Sequence, residues 1–119
     1  MKILITGGLG FIGSNLIEYL IKKKSIKKII IVDNFSKSSI RYLDLITKYK
    51  YHSSSKKYKN SSNRVQLIKA DVTDINFAKL ITRNIDYVVH LAAESGVDIS
   101  ISKPLESFNT NVIGAYNYL

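Results

Sequence analysis

This chain has no cysteine, a single proline and half as many acids as bases. The absence of cysteine excludes a disulfide framework, a thiolate metal site and a cysteine nucleophile. No apolar run approaches the length of a membrane span, and Met1-Lys2 opens directly into an apolar stretch rather than a signal-peptide pattern. A cytoplasmic location without a membrane partner is therefore expected. Nine Asp and Glu stand against 18 Lys and Arg, for a formal net charge of +9. The shortage of acids is local, with none between Asp44 and Asp71. Lys22, Lys23, Lys24, Lys27 and Lys28 gather where a helix is expected to end, and cations there complement the helix dipole. Lys48, Lys50, Lys56, Lys57, Lys59 and Arg64 fall in a polar, Ser- and Tyr-rich stretch that reads as a solvated loop. A polyanion-binding patch is the alternative. Tyr49, Tyr51 and Tyr58 form no nucleic-acid motif, so nucleic acid is not the expected partner.

What is present is an alternation of apolar runs and helical segments over 119 residues, enough for one domain. Strands are expected at Lys2–Thr6, Lys28–Val32, Val65–Lys69 and Asp86–Leu91. Helices are expected at Phe11–Lys24, Ser38–Lys48, Ile75–Thr82 and from Pro104 to Leu119, where Pro104 suits a first turn. The strands lack period-2 alternation, which implies a parallel sheet covered on both faces. Right-handed crossovers then give a doubly wound α/β sheet of strand order 3-2-1-4. Residues 49–63 read as a basic, polar surface insertion. The last helix keeps an apolar stripe (Phe108, Val112, Ala115, Leu119) with no C-cap glycine, so the pattern is that of the first, truncated half of a dinucleotide-binding sheet.

Four of the six glycines lie in Thr6-Gly7-Gly8-Leu9-Gly10-Phe11-Ile12-Gly13-Ser14, between the first strand and the first helix. A turn of this kind lets backbone approach a pyrophosphate and presents helix N–H groups to its charge. Gly8, Gly10 and Gly13 fit the general Rossmann spacing, and Gly7, Gly10 and Gly13 fit the short-chain dehydrogenase variant. A P-loop is disfavoured because Ser14 stands where a lysine is required. Asp33, twenty residues after Gly13, is placed to grip an adenosine ribose, the alternative being a turn cap. A carboxylate there repels a 2′-phosphate and favours NAD over NADP, although Lys37 and Arg41 are near in sequence. Asp71 could accept from an adenine amino group while Val72 packs on the ring; a turn role for Asp71 is the alternative. Asp74 reads as a helix N-cap. Small Ala92 and Ala93 after Leu91 would admit the nicotinamide half, while His90 reads as a buried structural histidine. Tyr19 and Lys23 share the Tyr-x-x-x-Lys spacing of a catalytic pair, but they sit on the first helix, away from any substrate cleft.

Together these residues resemble the extended short-chain dehydrogenases, the NAD-dependent nucleotide-sugar epimerases and dehydratases. The likeness runs through the glycine turn, Val32-Asp33-Asn34-Phe35-Ser36, Ala70-Asp71-Val72, His90-Leu-Ala-Ala-Glu-Ser-Gly-Val97, Ser102-Lys-Pro-Leu-Glu106 and Thr110-Asn-Val-Ile-Gly114. It implies a Rossmann-like fold, NAD as cofactor and a UDP- or dTDP-linked hexose as substrate. It also implies cofactor contacts from Gly7, Gly10, Phe11, Ile12, Gly13, Asp33, Asn34, Ser38, Asp71, Val72, Leu91, Ala92, Ala93, Ser95 and Thr110. Val-Asp-Asn-Phe-Ser and Lys-Pro-Leu-Glu are similar to UDP-sugar 4-epimerases, toward which the reading leans. Ala-Ala-Glu-Ser-x-Val-Asp and Thr-Asn-Val-x-Gly are similar to dTDP-glucose 4,6-dehydratases.

Either reaction, on this resemblance, passes through a 4-keto sugar, and the parent enzyme is expected to be a homodimer. The family's Ser/Thr and Tyr-x-x-x-Lys pair and its sugar-binding domain have no counterpart in residues 1–119. A non-catalytic dinucleotide-binding module is the competing expectation from another class. The 119-residue chain by itself is expected to give no turnover, and epimerisation or dehydration of a nucleotide sugar by the purified chain would overturn that.

Overall fold

A computed structural model describes residues 1–119. Five parallel strands form its sheet: β1 (Lys2–Thr6), β2 (Lys28–Asp33), β3 (Lys50–His52), β4 (Val65–Lys69) and β5 (Tyr87–His90), in the order β3-β4-β2-β1-β5. The four expected strands thus take the expected 3-2-1-4 order. Isoleucine-rich β1 and β2 at the centre are buried along almost their whole length, as strands covered on two faces must be. Each fully buried isoleucine there contributes about 1.5–3 kcal/mol of transfer free energy.

Helices cover both faces. On one, α1 (Phe11–Ile21) and α2 (Arg41–Ile46) enclose Ile3, Ile5, Ile17, Ile29, Ile31, Leu43 and Leu67. On the other, α3 (Ile75–Ile81) brings Phe77, Ala78 and Ile81 against Leu4, Ile30, Val32 and Ile68. Asp74 caps α3 by accepting from the Phe77 N–H at 3.0 Å. No helix is long and apolar enough to cross a membrane.

The helix expected at Ser38–Lys48 is confined to α2 at Arg41–Ile46, and beyond that the elements differ from expectation in four places. α1 ends at Ile21, so Lys22 to Lys24 lie beyond it, and Lys23 places its ammonium 4.3 Å from the Tyr19 ring centroid on the outer surface. Val97–Ser102 is a helix, α4, that no periodicity announced. The segment from Pro104 is interrupted: α5 (Pro104–Phe108) and α6 (Gly114–Asn117) flank a π turn at Asn109–Ile113. A widened turn of this kind redirects side chains within an otherwise continuous helix.

The fourth difference is β3, in the stretch expected to be a surface insertion. Lys-Tyr-His carries no apolar run, and its pairing with β4 rests on tertiary partners. Buried His52 lies 3.2 Å from the Gln66 amide oxygen through Nε2, so two polar side chains satisfy each other. Tyr51, on the opposite face, stacks on Phe35 with ring centroids 6.0 Å apart. The polar loop after β3 is tied down by Lys28, which donates to Asn60 and Ser61, and by Arg64, which donates to the carbonyls of Ile26 and Lys23.

His90 closes β5 with a particular protonation state. The Thr6 hydroxyl oxygen accepts from the Leu91 and Ala92 N–H groups, so its own proton goes to His90 Nδ1, 2.8 Å away. The Nε2–H is then buried without a partner, beside the Tyr118 ring. Burial lowers the His90 pKa below its ordinary value. Below about pH 6.5 the unfolded chain takes up a proton that the folded chain refuses, so stability is full above that pH and falls beneath it. The wild-type melting temperature should therefore drop more steeply between pH 6.5 and 5 than that of His90→Gln; parallel profiles would contradict this.

Candidate functional site

A crevice of about 230 Å³ opens at the carboxyl end of β1, where the chain departs to β2 on one side and to β5 on the other. Such a reversal of strand order is where ligands bind in open α/β sheets. Gly7, at φ +65°, makes the first turn out of β1, and a Cβ there would stand 2.7 Å from the Ala92 backbone nitrogen. A Cβ on Gly13 would lie 2.6 Å from Gly8 Cα, so α1 can seat itself against the turn only with glycine at position 13. Gly10 differs. A Cβ there would meet only the Gly7 carbonyl, at 3.3 Å, so the space its missing side chain leaves faces the crevice.

The N-terminus of α1 is chemically open. Its first backbone bond runs from the Ser14 N–H to the Gly10 carbonyl, no side chain caps it, and no acid lies in its first turn. The N–H groups of Phe11, Ile12 and Gly13 thus have no backbone acceptor, and they carry the positive end of the helix dipole. Phe11 and Ile12 have exposed side chains that do not line the crevice, so only their backbone is of use there. Gly13 lies beneath the turn, outside the lining.

Asp33 ends β2, and its buried carboxylate joins two segments. Oδ2 accepts from the Leu9 N–H of the glycine turn at 3.0 Å; Oδ1 accepts from the Phe35 N–H at 2.9 Å and the Ser38 hydroxyl at 3.3 Å. Phe35 itself is left-handed, at φ +63°, and is held there between Tyr51 and the Lys69 ammonium. Asn34 and Ser38 line the crevice beside Asp33.

The far wall comes from β4, β5 and the π turn. Val72, Leu91, Ala92, Ala93 and Thr110 line it. Val72 is fixed by α6: a Cβ on Gly114 would come within 2.6 Å of its Cγ2, and the Asn117 amide donates to its carbonyl. Asp71 and Ser95, expected as contacts, are exposed and outside the lining. Partial desolvation pushes the Asp71 carboxyl up, but hydrogen bonds from the Thr73 N–H, the Thr73 hydroxyl and Asn34 outweigh it and leave the carboxyl below its ordinary range. Sequence reading left out Val32, Ser36, Ala70 and Glu94, which line the crevice, and took Lys37, which also lines it, only as a nearby cation. Their signal was the motif strings themselves, since Val32, Ser36, Ala70 and Glu94 stand within them and Lys37 follows one directly. Lys37 and Glu94 form an ion pair across the mouth.

A Rossmann-like α/β protein is the class this sheet, turn and crevice define. The chain belongs to the GDP-mannose 4,6 dehydratase family, whose model matches residues 4–119. It is 32% identical over 119 residues to a dTDP-glucose 4,6-dehydratase of Mycolicibacterium smegmatis, covering all of this chain and 32% of that one. It is 31% identical over 121 residues to a UDP-glucose 4-epimerase of Yersinia enterocolitica, again covering all of this chain and 32% of the relative. The chain therefore spans about a third of the length of these curated relatives. Among solved structures, a dTDP-glucose 4,6-dehydratase from Streptomyces venezuelae with NAD bound is similar at a TM-score of 0.78 and 27% identity. That match covers 99% of this chain and 34% of the other. A UDP-glucose 4-epimerase from Thermotoga maritima with UDP-glucose gives 0.74 and 29%, over 99% and 32%.

The two glycine positions separate fold from ligand approach. Gly13→Ala should lower unfolding stability by about 1–3 kcal/mol through overpacking against fixed backbone. Gly10→Ala should cost less than about 1 kcal/mol, the scale of an N-cap change. Urea denaturation of both variants checks this, and equal losses would show that Gly10 is packed as tightly as Gly13.

Proposed function

We propose that this chain is the NAD-binding part of a nucleotide-sugar 4,6-dehydratase. The observation that carries the cofactor reading is that the open Gly10 position and the Asp33 carboxylate line one crevice, with the unpaired N–H groups of α1 beginning at the next residue. The residues present fit a dinucleotide. Backbone N–H groups of Phe11, Ile12 and Gly13 would hold the pyrophosphate, and no side chain at Gly10 obstructs it. Asp33 would take the adenosine ribose hydroxyls, since its Oδ2 accepts only one hydrogen bond and retains capacity. Val72 offers an apolar wall for adenine. Ala92 and Ala93 leave room for the nicotinamide half, with Thr110 beside its ribose. Asp71 would act through the turn it forms with Thr73 and through Asn34 rather than by direct contact.

The chemistry NAD supplies when bound is reversible acceptance of a hydride from C4 of the sugar, and this chain's residues hold and orient that reaction. Proton transfer at the sugar would fall to groups outside residues 1–119. The dehydratase reading is supported by the family description, the M. smegmatis relative and Ala92-Ala93-Glu94-Ser95-Gly96-Val97-Asp98. A second reading, UDP-sugar 4-epimerase, is favoured by Val32-Asp33-Asn34-Phe35-Ser36 and by the Y. enterocolitica relative. The intact protein supplied with dTDP-glucose and UDP-glucose distinguishes them. Loss of water to give a 4-keto-6-deoxy sugar supports the first, and C4 inversion without loss of water supports the second.

The cofactor assignment has its own test. Asp33→Asn should weaken NAD+ binding by tenfold or more, the scale of a lost hydrogen bond to a charged acceptor, and should also lower the melting temperature, because an amide nitrogen cannot accept from the Leu9 or Phe35 N–H. Binding as tight as wild type, measured by calorimetry, would remove Asp33 from the site.

A further inference from the structure

Lys37 is the one cation lining the crevice, where two acids, Asp33 and Glu94, also face in. It comes from the loop after β2, and Glu94 comes from the loop after β5; β1 and its glycine turn lie between them. Their ion pair therefore spans the carboxyl-terminal edge of the sheet beside β1.

The two partners are held unequally. The Asn111 side chain, on the π turn, accepts from the Glu94 N–H at 2.7 Å and donates to the Glu94 carbonyl at 2.9 Å. Glu94 Oε1 also accepts from the Gly96 N–H at 3.2 Å. Its carboxyl is kept below the ordinary range, chiefly by Lys37 and next by that Gly96 N–H. The Lys37 side chain is 46% exposed against 19% for Glu94, and the ion pair with Glu94 is the one its ammonium makes. An ion pair at a surface is weak when both chains must be ordered to form it. Here the carboxylate is ordered in advance, so only the lysine loses freedom.

Lys37 is also the residue before Ser38, whose hydroxyl donates to Asp33. Released from Glu94, its ammonium would lie beside the position proposed for the adenosine ribose, where a 2′-phosphate would need a cation. We propose that Glu94 is a specificity-determining residue: by holding Lys37 across the crevice, it withholds that cation from a 2′-phosphate and keeps the site selective for NAD over NADP. This rests on the cofactor reading above. Glu94 also adds a second carboxylate to a lining that contains one cation, so a doubly charged 2′-phosphate meets repulsion from both acids.

Calorimetric binding of NAD+ and NADP+ to the intact protein tests the proposal in wild type, Glu94→Gln, Lys37→Met and the double variant, with circular dichroism as the check on folding. Wild type should prefer NAD+. Glu94→Gln should raise the ratio of NADP+ to NAD+ affinity about tenfold, the scale of one charge-assisted hydrogen bond. Adding Lys37→Met should abolish that gain. An unchanged NADP+ to NAD+ ratio in Glu94→Gln overturns the proposal. A selective loss of NADP+ binding in Lys37→Met alone also overturns it, because it would mean that Lys37 is already available in wild type. Failure of wild type to bind either nucleotide overturns the underlying cofactor reading and the proposal with it.

Discussion

A buried carboxylate organises this molecule. Asp33 sits at the end of the central strand β2, where an unsatisfied charge would be costly, and three donors offset that cost. One donor belongs to the glycine turn after β1 and two belong to the loop after β2, so a single side chain sets the distance between the two segments that form the near wall of the crevice. Phe35, which donates one of these bonds, is left-handed. The edge strand β3 then acquires a purpose: Tyr51 packs on Phe35 and supports the turned loop from outside.

The glycine turn is the second constraint, and its glycines serve different ends. Gly7 and Gly13 are demanded by backbone packing against Ala92 and Gly8, which bring α1 and the loop after β5 onto β1. Gly10 is demanded by nothing in the protein's own packing beyond one carbonyl contact. The space left at Gly10 therefore opens to the crevice and not into the protein's own packing. The π turn at Asn109–Ile113 plays a comparable part on the far wall. It presents Thr110 to the crevice and Asn111 to the Glu94 backbone from adjacent positions.

Much of this was legible in the chain. Lys2–Thr6 and Val65–Lys69 were read with their observed bounds, because continuous apolar runs flanked by turns leave little choice of element. The strand order followed from right-handed crossovers. The glycine turn and Asp33 were legible because their spacing reflects a local requirement: a strand, a tight turn, a helix and a second strand of fixed lengths. Short, polar or interrupted elements were not legible. β3 has three residues and no apolar pattern, α4 has six, and the π turn carries no signature in periodicity.

The sequence by itself determined the class of sheet, the identity of the turn and the acid that ends β2, since each depends on residues close along the chain. Only the tertiary structure decided which motif residues share the crevice. Asp71 and Ser95 fall within motifs but outside the lining, because hydrogen bonds from Thr73 and Asn34 occupy the Asp71 carboxylate and Ser95 is exposed beyond Glu94. The pairing of Lys37 with Glu94, 57 positions apart, was likewise invisible in the chain. It exists because parallel strands β2 and β5 flank β1 and deliver their carboxyl-terminal loops to the same edge of the sheet.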